Sequence, residues 1–208
     1  LVGPTGSGKS TIVNLISRFY NITDGQVLID GHDVSHATLN SLRSQMGIML
    51  QDSFIFSGTL EDNIRYGRLD ATLPEIEASA KAVRADEFIA EFPDGYQTTV
   101  NERGGRLSQG QKQLVSFART MLADPKILIL DEATSSIDAR TERLLQQGVR
   151  TLLQGRTSFI IAHRLSTIQS CDLIMFIDKG IIAEAGTHDE LMAKQGRYFE
   201  LCTAQGIH

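Results

Sequence analysis

Gly3-Pro4-Thr5-Gly6-Ser7-Gly8-Lys9-Ser10-Thr11 is the stretch from which the rest of this chain is read. Its glycines let the backbone curl until several N–H groups point at one centre. A helix that begins where the loop ends adds the positive end of its dipole. Lys9 brings a charge suited to phosphate oxygens, and the Ser10 hydroxyl is a ligand that Mg²⁺ accepts. Gly3-x-x-x-x-Gly8-Lys9-Ser10 completes the Walker A pattern, so the loop is read as a phosphate cradle. A plain glycine-rich turn before a helix is the bland alternative, and it does not call for Lys9 and Ser10 at that spacing.

A second stretch agrees with the first. Ile127-Leu128-Ile129-Leu130 is a strand-sized apolar run closed by Asp131-Glu132, the Walker B pattern. Asp131 is placed to hold Mg²⁺ through water, and Glu132 to polarise an attacking water. An acidic strand end facing solvent is common for an isolated Asp-Glu, but not downstream of a complete phosphate loop. Binding alone needs Asp131 and no second carboxylate, so Glu132 is the argument for hydrolysis.

Between and beyond these motifs the order of elements can be followed. Thr11–Tyr20 is expected as a helix, with Ile12, Leu15, Ile16 and Phe19 at helical spacing. Gln26–Ile29 reads as a short strand, Leu39–Ser44 as a short helix and Met46–Leu50 as an apolar strand stopping at Gln51. From Ser53 to about Met121 the pattern is helical. Pro74 fits the first turn of a helix in which Ile76, Ala80 and Val83 share a face. Ser108 opens another, with Leu114, Val115, Ala118, Met121 and Leu122 on its apolar side, ended by Asp124-Pro125. Strands follow at Lys126–Leu130, Ser158–Ala162, Leu173–Ile177 and Ile181–Glu184, with helices at Glu142–Leu153 and Asp189–Lys194. Continuous apolar strands alternating with helices indicate an α/β fold: a P-loop NTPase core with a mostly parallel sheet flanked by helices. The core is expected over 1–52 and 123–208, with an inserted α-helical subdomain over about 53–122. A phosphate loop should follow a buried strand, and only Leu1 and Val2 precede Gly3. The N-terminal strands are therefore expected upstream of Leu1.

Composition sets outer limits. With 208 residues, 41% hydrophobic and 22% charged, the chain can bury a core without disulfides or a structural metal. Cys171 and Cys202 have no metal-ligand spacing. A formal net charge of −5 and the lack of a basic run argue against nucleic acid as the main partner. No apolar stretch reaches the roughly 18 to 20 residues that span a bilayer.

Leu107-Ser108-Gln109-Gly110-Gln111 stands at the start of a helix. Locally it is a capping box, Ser108 with Gln111 three residues on, and that suffices to explain it. A hydroxyl, a glycine and a helix N-terminus also make a good anion site. Here the chain resembles the ATP-binding cassette family. The segment is similar to that family's signature Leu-Ser-Gly-Gly-Gln, with Gln109 in place of the first glycine and with Ser108, Gly110 and Gln111 kept. Gln51 resembles the Q-loop glutamine that contacts Mg²⁺ and water, Ser136-Ile137-Asp138 the D-loop, and His163 the switch histidine near the γ-phosphate. The resemblance implies that ATP and Mg²⁺ bind Gly3–Thr11 and that Ser10, Gln51 and Asp131 serve the metal. It also implies catalytic roles for Glu132, His163 and Gln51. Two such domains, alike or different, pair head to tail, so that Ser108, Gln109, Gly110 and Gln111 of one close over ATP on the other.

Two further stretches point to one branch. Gln51-Asp52-Ser53-Phe54-Ile55-Phe56-Ser57-Gly58-Thr59-Leu60-Glu61-Asp62-Asn63-Ile64 is similar to the segment after the Q-loop in exporters. Asn101-Glu102-Arg103-Gly104-Gly105 resembles the exporter X-loop, with Asn101 for its first glycine. The implied function is the ATPase motor of an exporter, joined to a transmembrane domain at the cytoplasmic face of a membrane. In that family the adenine stacks on an aromatic that would lie before Leu1. The competing class is an ATPase of DNA repair or chromosome maintenance, which splits its cassette around a long coiled coil. No sustained heptads and no basic stripe support it. A regulatory domain that binds ATP without hydrolysis is the third reading, and Lys9, Asp131, Glu132 and His163 speak against it.

Overall fold

The computed structural model describes residues 1–49, 53–101, 104–131, 138–162 and 165–204. They form two compact units. Of the described residues, one holds 1–43, 129–131, 159–162 and 165–204; the other holds 44–49, 53–101, 104–128 and 138–158.

In the first unit, helix α1 (Lys9–Ile16) leaves the phosphate loop. It starts two residues before the expected Thr11 and stops well before Tyr20. Arg18 turns the chain with φ 52, and Arg43 takes over the carbonyls at the helix end, donating to Ser17 O at 3.2 Å and Arg18 O at 2.9 Å. Phe19, expected on the apolar face, is 54% exposed and lies under the Arg43 guanidinium, 4.6 Å from its ring centre. The expected strand at Gln26–Ile29 shrinks to β1 (Leu28–Ile29), which pairs antiparallel with β2 (His32–Asp33) across a tight turn. Helix α2 (Leu39–Arg43) follows.

The second unit begins with β3 (Met46–Met49). The helical block then carries a small antiparallel pair that its helical pattern hides, β4 (Gly58–Thr59) with β5 (Thr99–Val100). Its helices are α3 (Leu60–Arg65), α4 (Leu73–Ala82), α5 (Ala85–Ile89) and α6 (Gln109–Ala123). Pro74 sits in the first turn of α4, and Thr72 with Glu75 closes a capping box there. Helix α6 is central to this unit and buries Leu114, Val115, Phe117, Ala118 and Leu122. At about 1.5–3 kcal/mol for each large apolar side chain, this face contributes several kcal/mol to the unit's stability. Met121, expected on that face, is only half-buried.

Strand β6 (Ile127–Asp131) leads to α7 (Ala139–Leu153), which packs on α6. Gly148 allows the approach: a Cβ there would lie 2.9 Å from Phe117 Cδ2 and 3.1 Å from Val83 O. Strand β7 (Thr157–Ile161) completes a three-stranded sheet ordered β3-β6-β7. Gln45 O accepts from Ile127 N at 3.0 Å and Lys126 O from Thr157 N at 3.2 Å. Start faces start, so these strands run parallel, as continuous apolar runs require.

The first unit resumes along β6 and β7 and continues through α8 (Leu165–Gln169), β8 (Ile174–Asp178), β9 (Ile181–Gly186), α9 (His188–Lys194) and α10 (Arg197–Ala204). Strands β8 and β9 form an antiparallel hairpin. Leu1 and Val2 lie between β7 and β8. Leu1 N donates to Ile160 O at 2.5 Å and Ala162 N to Leu1 O at 3.3 Å, while Val2 forms a parallel bridge with Phe176. Val2 is buried, so these two residues hold an interior strand position in front of the phosphate loop.

Candidate functional site: a phosphate loop

The loop at Gly3–Gly8 is shaped by left-handed glycines, with φ 140 at Gly3, 78 at Gly6 and 109 at Gly8. Only glycine takes these values without strain. Ser7 N donates to Pro4 O at 3.2 Å, closing a turn inside the loop. Pro4, Thr5 and Gly6 form the exposed rim, and Ser7 is buried beneath it.

Lys9 opens α1 but reaches back over the loop. Its ammonium donates to Gly3 O at 2.8 Å and Pro4 O at 2.9 Å, and lies 3.5 Å from Ser7 Oγ. It is buried, and that burial pushes its pKa below the ordinary lysine value, while the negative charge of Asp131 partly restores it. Asp131 at the end of β6 is thus within electrostatic reach of Lys9.

Helix α1 carries no side-chain cap: Gly8 is its N-cap and has none to offer. By contrast Thr59, Ser108, Asp138 and Thr187 accept backbone N–H bonds at the starts of α3, α6, α7 and α9. The N–H groups at the start of α1 are left to an external acceptor. Ser10 and Thr11, in its first turn, are exposed. A curled loop of positive-φ glycines, an uncapped helix start, a lysine and an exposed hydroxyl form a donor set that fits a magnesium nucleotide: N–H and N⁺–H groups for phosphate oxygens, and Ser10 and Asp131 oxygens for the metal.

The other expected site residues fall into two groups. Gln51, Glu132, His163 and the Ser136-Ile137 part of the D-loop lie outside the described residues. Ser108, Gln109, Gly110 and Gln111 start α6 as a reciprocal capping box. Gln111 N donates to Ser108 Oγ at 3.2 Å, and Ser108 N donates to Gln111 Oε1 at 2.9 Å. Ser108 is exposed and Gly110 buried. Asp138 caps α7, accepting from Arg140 N at 3.1 Å and Thr141 N at 3.0 Å, and these bonds lower its carboxyl pKa, that from Thr141 most.

Motif reading missed the loop's backing. A Cβ on Gly3 would overlap the carbonyl oxygen of Ile177 in β8. Gly180 N, in the turn after β8, donates to Ser7 O at 2.8 Å. Neither residue belongs to a phosphate motif. The only sequence signal was the Lys179-Gly180 turn, which says nothing of what the turn touches.

Comparison with known proteins places this geometry. A family model described as ABC transporter matches residues 1–135. A Bacillus subtilis protein, the uncharacterized ABC transporter ATP-binding protein YknV, is 57% identical over 205 residues, 99% of this chain and 34% of its own length. A fatty acid ABC transporter ATP-binding/permease protein of Mycobacterium tuberculosis is 52% identical over 204 residues, 98% of this chain and 32% of its own. The solved structure of a bacterial Atm1-family ABC exporter with ATP bound superposes with a TM-score of 0.91 at 46% identity, over 99% of this chain and 36% of that one. The chain thus spans about a third of the length of these relatives. Among the described residues no helix is long and apolar enough to cross a membrane. The chain belongs to the ABC transporter family, as an ATP-binding domain of exporter type.

Proposed function

We propose that this domain binds ATP with Mg²⁺ at Gly3–Thr11, hydrolyses it, and so drives an exporter from the cytoplasmic face of a membrane. The observation that carries the reading is the Lys9 clasp. A buried ammonium held by Gly3 O and Pro4 O, above an uncapped helix start, is a positive centre suited to an anion.

In this reading Gly3, Thr5, Gly6, Ser7, Gly8 and Thr11 cradle the phosphates through backbone N–H groups and side-chain hydroxyls, and Pro4, which has neither, shapes the loop that wraps them. Lys9 turns from its own loop carbonyls to the β and γ phosphates. Ser10, Asp131 and Gln51 hold the metal, which when bound neutralises phosphate charge and polarises the bond to be broken. Glu132 orients and polarises the attacking water, and His163 and Gln51 complete the site around the γ-phosphate.

Ser108, Gln109, Gly110 and Gln111 face the nucleotide of a second such domain, identical or different. The exposed Ser108 hydroxyl at a helix start suits that role. A γ-phosphate held from both sides favours the closed pair, and its loss releases it. A transmembrane domain is the remaining partner.

The test is ATP turnover by the full-length protein. Glu132→Gln should retain ATP binding and lower kcat by about 100-fold or more. Lys9→Ala should lose binding as well. Turnover by Glu132→Gln within twofold of the parent would end the hydrolytic reading.

A further inference from the structure

The phosphate loop leans on a turn that lies some 170 residues away in sequence. β8 and β9 are joined by Lys179 and Gly180, with Asp178 paired to Ile181. Both turn residues are left-handed, with φ 49 and 81. This is a two-residue hairpin turn with positive φ at both central positions. It aims the Gly180 N–H at Ser7 O, 2.8 Å away. A Cβ on Gly8 would sit 3.4 Å from Gly180 Cα, so a single methyl group would fill the space between loop and turn. At Gly180 itself nothing lies within 4 Å of an added Cβ. Room is not what this position demands; the left-handed φ is.

The hairpin is anchored in turn by α10. Asp178, the residue before the turn, forms an ion pair with Arg197. Glu184 in β9 accepts from Arg197 N at 2.6 Å and Tyr198 N at 3.2 Å, capping the start of α10 from the strand.

We propose that Gly180 is a positioning residue for nucleotide binding. Its left-handed turn presents an amide to Ser7 O and holds the loop in its binding-ready curl, and Arg197 of α10 sets the turn through Asp178. The reason is entropic. Glycine-rich backbone loses more freedom on ordering than any other, so an untied loop would populate its curl only part of the time. Apparent affinity falls by the same fraction. An outside tie to Ser7 O supplies that order before the ligand arrives.

The proposal rests on the reading that this loop binds ATP, and two measurements on the full-length protein separate the two claims. One is affinity for a fluorescent ATP analogue with Mg²⁺. The other is hydrogen exchange of the peptide over residues 3–9 without nucleotide. Gly180→Val, whose branched side chain disfavours positive φ, should weaken binding about tenfold and speed exchange in that peptide, with kcat at saturation within about twofold. Gly180→Asn, which tolerates the left-handed region, should restore both to within about twofold. Arg197→Ala should weaken binding about threefold in the same direction, and it serves as the probe if Gly180→Val does not fold. The proposal is overturned if Gly180→Val or Arg197→Ala leaves loop exchange at the parent rate, or if Gly180→Asn is as impaired as Gly180→Val. If the parent binds no analogue, the nucleotide reading fails, while exchange still judges the tie.

Discussion

Gly3 packs so closely on Ile177 that a methyl group on it would overlap the Ile177 carbonyl oxygen. The same oxygen's residue is fastened to the segment before the loop, with Ile177 N donating to Val2 O at 2.8 Å. The first glycine of the motif is therefore required by β8 as much as by any phosphate. Gly3→Ala combines this overlap with a φ of 140. We expect it to cost about 3 kcal/mol or more. Thermal unfolding of the variant checks this, and a midpoint within a degree of the parent would contradict it.

Arg119 is the polar centre of the helical unit. Its Nε donates to Asn63 O at 2.8 Å, Nη2 to Asn63 Oδ1 at 3.2 Å and Nη1 to Phe54 O at 3.2 Å. The guanidinium also lies 5.2 Å from the Phe56 ring centre, and Phe56 stacks on Tyr66 at 4.2 Å. Asn63, fully buried, in turn accepts from Phe56 N at 2.9 Å. Removing Arg119 takes the donor from Asn63 O and Phe54 O, while Asn63 Oδ1 keeps Phe56 N, so Arg119→Ala should destabilise by about 2 kcal/mol. Arg119→Lys should recover less than half, because one ammonium cannot serve three acceptors and a ring face together. Full recovery by lysine, read in urea unfolding, would show that charge alone matters here.

Asp124 ends α6 in a left-handed conformation and accepts from Arg156 Nη2 at 2.7 Å. Arg156 also donates to Pro125 O at 3.0 Å and Leu152 O at 2.7 Å. The hydrogen bond from Arg156, with smaller help from Lys126, holds the Asp124 carboxyl below its usual pKa. A depressed folded value means that the unfolded chain binds the proton more readily. The stabilisation is complete above the unfolded pKa of about 3.9 and is lost as pH falls through the lower folded value. Because Asp124 is largely exposed, the gain is screened and small, on the order of 2 °C in melting temperature. The gap between parent and Asp124→Asn should stay constant from pH 7 to about pH 5 and close in stronger acid. An equal gap at pH 7 and in strong acid would place the effect in the turn and not in the charge.

Much of this could be read locally. Gly3–Ser10 and Ile127–Glu132 name their chemistry because phosphate and metal contacts demand residue types at fixed spacing. Ser108 with Gln111 and Pro74 announce helix starts because capping is satisfied within four residues. The apolar runs of β3, β6, β7 and β8 mark buried strands by content alone. What could not be read was short or distant. Two-residue strands such as β2, β4 and β5 show no periodicity, since their pairing is decided by partners and turns, and of the expected strand at Gln26–Ile29 only Leu28–Ile29 pairs. Phe19 has the spacing of a core residue, yet Arg18 and Arg43 end α1 before it and leave its ring outside.

The sequence by itself determined that this chain carries a nucleotide phosphate loop, an acidic strand end and the motif order of an ABC ATP-binding domain, because each motif is a local chemical requirement. Only the tertiary structure decided that Leu1 and Val2 take an interior strand position between β7 and β8, that Gly3 must clear Ile177, and that Gly180 holds Ser7. These are backbone contacts between residues far apart in the chain, and a carbonyl or an amide looks the same at every position until folding chooses its partner.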